Sequence, residues 1–358
     1  MANGDAAPSG AERFCWGIVG TGVIARRFAA DLALMPDARI GAVQSRALDK
    51  AQAFAAEFGA TVAYGDAEAL LADPAIDALY VATPNSLHVE QGLRGIAAGK
   101  PVLIEKPIAL TSVDVLGLIE ASRTHHVFAM EAMWTRFLPA VVAAREQVAA
   151  GRIGKVRRIR ADLSYLRQEI PGSRFFDPAL GGGSAFDLGV YPVSLALHWL
   201  GSPERVTGRW LAALSGVDLR CEFVLHYPEA VAELSCGFDR NGTNQFLIEG
   251  DAGAIRLDAP FLKAQRLTHY TTAAFGCSWR GPRLRNGLAG KLLGRLPMPG
   301  RSQESYRFAG NGLQFQARAV MDAVRRGEIG CAAMPLAESA AVLSIIETVL
   351  AQPPARTF

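Results

Sequence analysis

Between Phe14 and about Glu131 the chain alternates short apolar runs with longer segments of helical periodicity, and this alternation limits the fold more than any other feature. The runs are CWGIV (15–19), ARIGAVQ (38–44), TVAY (61–64), DALYVAT (77–83), PVLIE (101–105) and VFAMEA (127–132). Between them lie segments such as ALDKAQAFAAEF (47–58), whose apolar residues recur every three or four positions, as on one face of a helix. Strands that are apolar throughout need cover on both faces, and strands separated by helices run parallel. The expected fold class is therefore α/β, opening with a doubly wound parallel sheet of the Rossmann type.

After about Arg152 the texture changes. KVRRIRADLSYL (155–166), DLRCEFVLHY (218–227), AVAELSCGF (230–238), NQFLIEG (244–250) and GAIRLDA (253–259) alternate or run β-rich, with YPEA, DRNGT and GDAG as turns between them. These predict an α+β domain built on a large, mostly antiparallel open sheet. Helices are expected at 184–200, 311–326 and 336–351. The expected division is a disordered tail at 1–13, a nucleotide-binding domain at 14–132 and a substrate-binding and oligomerisation domain at 133–358, its C-terminal helix packing back on the first. No internal repeat is evident.

At 358 residues the chain is long enough for two cores, and half of its residues are apolar. A net charge of +3 gives no support for a nucleic-acid or membrane partner. Five scattered cysteines without a CxxC pair argue for reduced thiols in a cytoplasmic setting and against a structural zinc or disulfide scaffold. No apolar run approaches the roughly 20 residues that span a bilayer, and the polar start MANGDAAPSGAER lacks the pattern of a secretory signal. One segment stands apart: RGPRLRNGLAGKLLGRLPMPGR (280–301) is basic throughout, without an acid. It reads as a solvated surface insertion, the alternative being an oligomer contact or an anionic partner.

Gly20-x-Gly22-x-x-Ala25 follows the first strand directly and opens a helix. Gly20 permits the tight turn, Gly22 admits a pyrophosphate close to the backbone, and Ala25 lets helix pack on strand. The pyrophosphate would sit on the helix N-terminus, against free N–H groups and the positive end of the dipole. Thr21, Val23 and Ile24 belong to the same turn. The second strand ends Val43-Gln44-Ser45-Arg46, with no acid until Asp49. An acid there would hold a ribose 2′-hydroxyl, whereas Ser45 and the Arg46 fork suit a 2′-phosphate, so NADP is expected rather than NAD. Thr83, Pro84, Asn85 and His88, after the fourth strand, are further candidate cofactor contacts; Asn85 could equally be a helix cap. His88-Val89-Glu90 has the H-x-E form of zinc deaminases, but no P-C-x-x-C follows, and no metal site is expected.

Two further patterns are Glu105-Lys106-Pro107, at the end of the fifth strand, and GGGSAFDLGVYPVSLALHWLG (181–201). With the glycine turn they make the chain resemble the Gfo/Idh/MocA oxidoreductases, from about Phe14 to the end apart from 280–301. MEAMWTRFLP (130–139) resembles the branch of dimeric trans-dihydrodiol dehydrogenase and NADP-linked D-xylose dehydrogenase. The resemblance implies that Tyr191 is the general acid/base of hydride transfer and Lys106 its electrostatic partner. The chemistry agrees, since a phenol with a reference pKa of about 10 needs a nearby cation to act as a base. Asp187, four residues before Tyr191, would share its helical face and orient substrate or Lys106. Glu105 and Lys106 also count as cofactor contacts, with Glu105 neutralising or orienting the lysine. The resemblance places Trp134 beside the substrate; Arg136 and Phe176 are further candidate substrate contacts. His198, seven residues beyond Tyr191, does not match the Asp/His pair of inositol dehydrogenase relatives.

The function expected is an NADP-dependent dehydrogenase of a secondary alcohol or hemiacetal of a sugar, polyol or cyclic trans-diol. The competing readings are a glycosidase that uses bound NAD(P) in a transient redox step, and a non-catalytic NADP-binding regulator. A homodimer is expected, because an open sheet leaves a face to be covered.

Overall fold

The computed structural model describes residues 13–170, 172–273 and 299–357. All but Arg13 of the expected disordered tail, and residues 280–298 of the basic segment, lie outside these ranges. The expected α/β architecture is borne out. Strands β1 (Phe14–Val19), β2 (Ala38–Gln44), β3 (Val62–Tyr64), β4 (Ala78–Val81), β5 (Val102–Ile104) and β6 (Ala129–Glu131) form one sheet in the order β3-β2-β1-β4-β5-β6. Every pairing in it is parallel. Helices α1 (Val23–Leu32), α2 (Leu48–Phe58), α3 (Ala67–Leu71), α4 (His88–Ala97) and α5 (Ser112–His125) make the crossovers. The order reverses between β1 and β4, and ligands of such sheets sit beyond the strand ends at that point.

Burial explains the apolar runs: β1, β2, β4, β5 and β6 are buried almost throughout. An aromatic series threads this core. Trp16 meets Phe28 edge-on at 5.2 Å, and Phe28 stacks on Tyr80 at 3.8 Å. Both contacts are geometries favoured by the ring quadrupole.

The second sheet has the order β14-β13-β12-β11-β7-β10-β9-β8, from β7 (Val156–Ser164), β8 (Arg205–Ala212), β9 (Asp218–His226), β10 (Val231–Gly237), β11 (Phe246–Gly250), β12 (Gly253–Leu257), β13 (Arg266–Thr271) and β14 (Arg301–Ser305). It is antiparallel except where β10 runs parallel to β7. Three of these strands were not expected from the sequence. β8, RVTGRWLA, carries a glycine and two arginines, while β13 and the edge strand β14 have little apolar alternation. Helix α6 (Pro139–Ala149) was also missed. Helix α7 (Val190–Leu200) and the closing helices α8 (Leu313–Arg325) and α9 (Leu336–Leu350) match the expected positions within a few residues.

One face of the second sheet is covered: Ile159, Leu163, Phe223, Leu225 and Leu234 point under α7 and α9. The opposite face carries cross-strand ion pairs, Arg209 with Glu222 at 2.8 Å, Arg158 with Glu233 at 3.8 Å, and Arg160 with Glu249. This face is charged rather than apolar, so the reason given for expecting a dimer, a surface in need of cover, does not hold as stated. Helix α8 packs on α1, and Arg318 forks onto Asp37, pulling that carboxyl down to about 2. Asp31 of α1 accepts from the Asn311 and Leu313 amides. Cys221 and Cys236 face each other across β9 and β10 as free thiols.

Candidate active site

Gly20 stands at φ +103°, a region that L side chains avoid, and a Cβ there would lie 2.7 Å from the Ala82 carbonyl oxygen. It must be glycine for the turn to close against β4. Gly22 differs: a Cβ there would meet nothing within 4 Å. That open space lies at the N-terminus of α1, whose first turn has no side-chain cap. Space and free amide donors together fit a pyrophosphate. Thr21, exposed Val23 and Ile24 surround it, and Ala25 is fully buried beneath. Ser45 is half-buried and Arg46 exposed at the end of β2, with the Ser45 amide bonded to the Tyr64 carbonyl at 3.1 Å. Thr83 and Pro84 follow β4 on the other side of the switch point.

Beyond β5 the Lys106 ammonium donates to the Asp187 carbonyl at 2.7 Å and pairs with its Oδ1 at 3.2 Å. It also lies 5.0 Å from the centroid of the Tyr191 ring. The Trp134 indole donates to the Tyr191 hydroxyl oxygen at 3.0 Å. Lys106, Asp187, Tyr191 and Trp134 therefore form one cluster, with Asp187 and Tyr191 more than 80 residues in sequence from Lys106.

The local reason lies in the helix. Residues Ala185–Gly189 form a π turn, with the Val190 amide bonded five residues back to the Ala185 carbonyl. In that register the donor due at the Asp187 carbonyl is residue 192, which is Pro192 and has no N–H. The carbonyl is left open, and Lys106 takes it. Four-residue spacing suggested that Asp187 and Tyr191 share a helical face; it is the π turn that sets where each points. The turn is anchored by Asp218, which accepts from the Ser184 hydroxyl and the Ala185 amide, both at 2.7 Å. Burial pushes the Asp218 carboxyl up to about 6 against those bonds.

Burial pushes the Tyr191 phenol above its usual range, and the opposing pull of Lys106 and the Trp134 indole does not cancel it. Burial opposes the Lys106 charge too, yet Tyr191, Asp187 and Glu105 together hold its ammonium above the ordinary value. Burial alone would raise Asp187, but Lys106, Arg174 and Arg167 outweigh it and keep the carboxyl low. Asp187 is thus ionised, and Lys106 charged.

Glu105 lies beneath this cluster. Its carboxylate accepts from the Tyr80 hydroxyl and, at 3.1 Å, from the Lys106 amide. Burial pushes it from 4.5 to about 7, against the pull of Tyr80 and Lys106. Between those values the folded protein holds a proton that the unfolded chain has released, so stability falls as pH rises through the interval and is level above it. At about 1.4 kcal/mol per pH unit the fall is at most about 3 kcal/mol. Glu105→Gln cannot ionise and is expected to remove that part of the decline. Denaturant midpoints from pH 5 to 8 check it, and parallel curves for the two proteins would count against the assignment.

Several expected contacts sit elsewhere. Glu105 is 4% exposed and faces the core, so it supports Lys106 and is not a cofactor contact. His88 is fully buried, with Nδ1 2.8 Å from the Pro107 carbonyl and Nε2 2.9 Å from that of Thr83; it ties two loops together from behind. Arg136 is not free to meet a substrate. Its guanidinium is spent on Ser194, the Ala333 carbonyl and Glu338. Phe176 is 4% exposed and packs edge-on to Phe238. Asn85 starts a 3-10 turn without capping it, and its amide reaches the Gly181 carbonyl at 3.5 Å. His198 lies against Arg145, apart from the cluster. Arg167, whose Nη2 lies 3.5 Å from Asp187 Oδ2, was missed, since an arginine in a loop carries no local signal. Among the described residues, no group of His, Cys, Asp or Glu is placed to hold a metal, and no helix is long and apolar enough to cross a membrane.

Residues 14–133 match the family model "Oxidoreductase family, NAD-binding Rossmann fold", and residues 141–256 match "GFO/IDH/MocA C-terminal domain". The chain is 30% identical over 337 residues to trans-1,2-dihydrobenzene-1,2-diol dehydrogenase of Mus musculus, covering 93% of this chain and 94% of that protein. It is also 30% identical to D-xylose 1-dehydrogenase (NADP(+)) of Hypocrea jecorina, covering 94% and 91%. Among solved structures, a 3-ketoreductase from Actinomadura kijaniata superposes with a TM-score of 0.78 at 23% identity, covering 94% of this chain and 97% of that one; this likeness is one of fold.

Proposed function

Since the chain belongs to the Gfo/Idh/MocA oxidoreductase family, we propose that it is an NADP-dependent dehydrogenase. Its substrate is a secondary alcohol or hemiacetal of a sugar, polyol or cyclic trans-diol. The observation that carries this reading is the convergence of Lys106 and Tyr191 beyond β5, with the Trp134 indole on the phenol oxygen. When bound, NADP supplies the hydride acceptor, and Gly20, Thr21, Gly22, Val23 and Ile24 would hold its pyrophosphate. Tyr191 takes the proton of the substrate hydroxyl. The Lys106 charge and the indole N–H, which can only donate, favour the phenolate against the burial that raises the phenol. Turnover therefore draws on the deprotonated fraction of Tyr191, and kcat is expected to rise with pH. Asp187 aims Lys106, and the edge of Trp134 borders the substrate.

The test is nicotinamide absorbance with NADP over aldoses, inositols and trans-dihydrodiols. A protein that binds NADP but turns over no member of the panel would sink the proposal.

NADP is preferred to NAD because Ser45 and Arg46 end β2 where an acid would otherwise hold the ribose. Arg46→Asp is expected to raise the NADP KM by about tenfold to hundredfold, the range for a lost charged hydrogen bond. The NAD KM should change far less, and equal effects on both would refute the assignment. A homodimer, in a cytoplasmic setting, completes the reading; a monomer in light scattering would overturn the dimer.

A further inference from the structure

The substrate end of the cluster holds more positive charge than its carboxylate offsets. Asp187 meets Lys106 at 3.2 Å through Oδ1 and Arg167 at 3.5 Å through Oδ2, and Arg174 adds its pull on the same carboxylate. Three cations thus share one ionised acid. The remaining acids nearby are engaged elsewhere. Glu169, two residues from Arg167, accepts from the Leu214 and Ser215 amides at 3.1 and 2.8 Å. Asp177 caps Ala179, and Asp218 anchors the π turn. Glu105 is buried beneath Lys106.

Arg167 is also held in a fixed pose. Its guanidinium carbon lies 3.8 Å over the Phe175 ring and 5.3 Å from that of Phe238, and Arg174 lies 4.2 Å over Phe175. Stacking fixes the plane of a guanidinium without satisfying its donors. The contact with Asp187 is long, and a third of the Arg167 side chain remains exposed. A fork held by aromatic rings, short of acceptors and open to solvent is preorganised for a planar or tetrahedral oxyanion.

We propose that the substrate carries such an oxyanion, a carboxylate or a phosphate, which Arg167 binds with Arg174 while the carbinol meets Tyr191. The substrate class is then an acidic sugar or polyol: an aldonate, a uronate or a sugar phosphate. This rests on the dehydrogenase reading above. The reaction leaves the anion untouched: the carbinol C–H leaves as hydride to bound NADP, the O–H proton goes to Tyr191, and the C–O bond becomes C=O.

The experiment compares matched neutral and acidic substrates with the intact protein and NADP: D-glucose with D-gluconate, D-glucuronate and D-glucose 6-phosphate, and myo-inositol with its monophosphate. At least one acidic member is expected to exceed its neutral counterpart in kcat/KM by about tenfold to hundredfold, the range for a hydrogen bond to a charged group. Whether the carboxylates or the phosphates lead identifies the anion. Arg167→Gln should lower the acid-over-neutral ratio by about tenfold, and Arg167→Lys, which keeps the charge but loses the fork, by less. Neutral members turned over as well as every acidic partner would overturn this inference and leave the dehydrogenase standing. So would an Arg167→Gln variant that loses both activities equally, which marks a structural role. Turnover of no member by a protein that binds NADP would overturn both readings.

Discussion

Tyr191→Phe is expected to lower kcat by about 10²- to 10⁴-fold, the usual contribution of a positioned general acid or base. The ring stays and so does the packing, since Tyr191 is 6% exposed and its edge contact with Trp134 does not need the hydroxyl. What goes is the hydroxyl to which the proposed mechanism assigns the substrate proton. The Trp134 N–H loses its acceptor as well, a cost to stability of about 1–3 kcal/mol for an unsatisfied buried donor. NADP affinity should stay close to that of the parent protein, because the phenol takes no part in the pyrophosphate cradle at Gly20–Gly22. Steady-state kinetics beside cofactor titration separate these effects. A loss in kcat below about threefold would mean that another group moves the proton.

Lys106→Ala should be at least as damaging, for a different reason. The ammonium is the main cation opposing the burial that raises Tyr191. Without it the phenol moves further up, and the pH at which kcat rises should move up with it. The variant also leaves the Asp187 carboxylate with only the longer contact to Arg167 and reopens its carbonyl. Removing one partner of a buried ion pair costs about 3–5 kcal/mol where burial is complete; both partners here keep some exposure, so the loss of stability should fall below that range. The two variants thus differ in kind: the phenylalanine abolishes the pH dependence that comes from Tyr191, while the alanine displaces it. A Lys106→Ala profile of unchanged position would separate the lysine from the phenol and remove it from the mechanism.

Much of the nucleotide half could be read from the chain because each of its signals is local. A strand buried on both faces must be apolar along its whole length, and Gly20 is dictated by a carbonyl 2.7 Å away. Lys106 and Tyr191 could be named because strand ends and glycine-rich helix starts have recognisable chemistry. The failures share a cause. His88 and Arg136 bear polar groups that the sequence offers to ligands, but the fold spends them on backbone carbonyls and Glu338. Glu105 and Phe176 were sent toward ligands, whereas their neighbours turn them inward. Arg167 escaped notice because its meaning comes from Phe175, Phe238 and Asp187, and that last contact spans 20 residues of irregular chain. Strands β8 and β14 were lost because edge strands lack the alternation that marks a half-buried one, and β13 because its polar residues Thr268, His269 and Thr271 break the apolar pattern.

Lys106 and Asn85 both cross from the nucleotide half to the segment that carries Tyr191, and each ends on a main-chain oxygen, of Asp187 and Gly181. Every residue has such an oxygen whatever its side chain. These two contacts therefore depend on the path of the backbone along 181–187, and that path is itself held by residues without side chains: Gly181 and Gly183 stand at φ +70° and +119°, where a Cβ would run into Leu110 and Asp218.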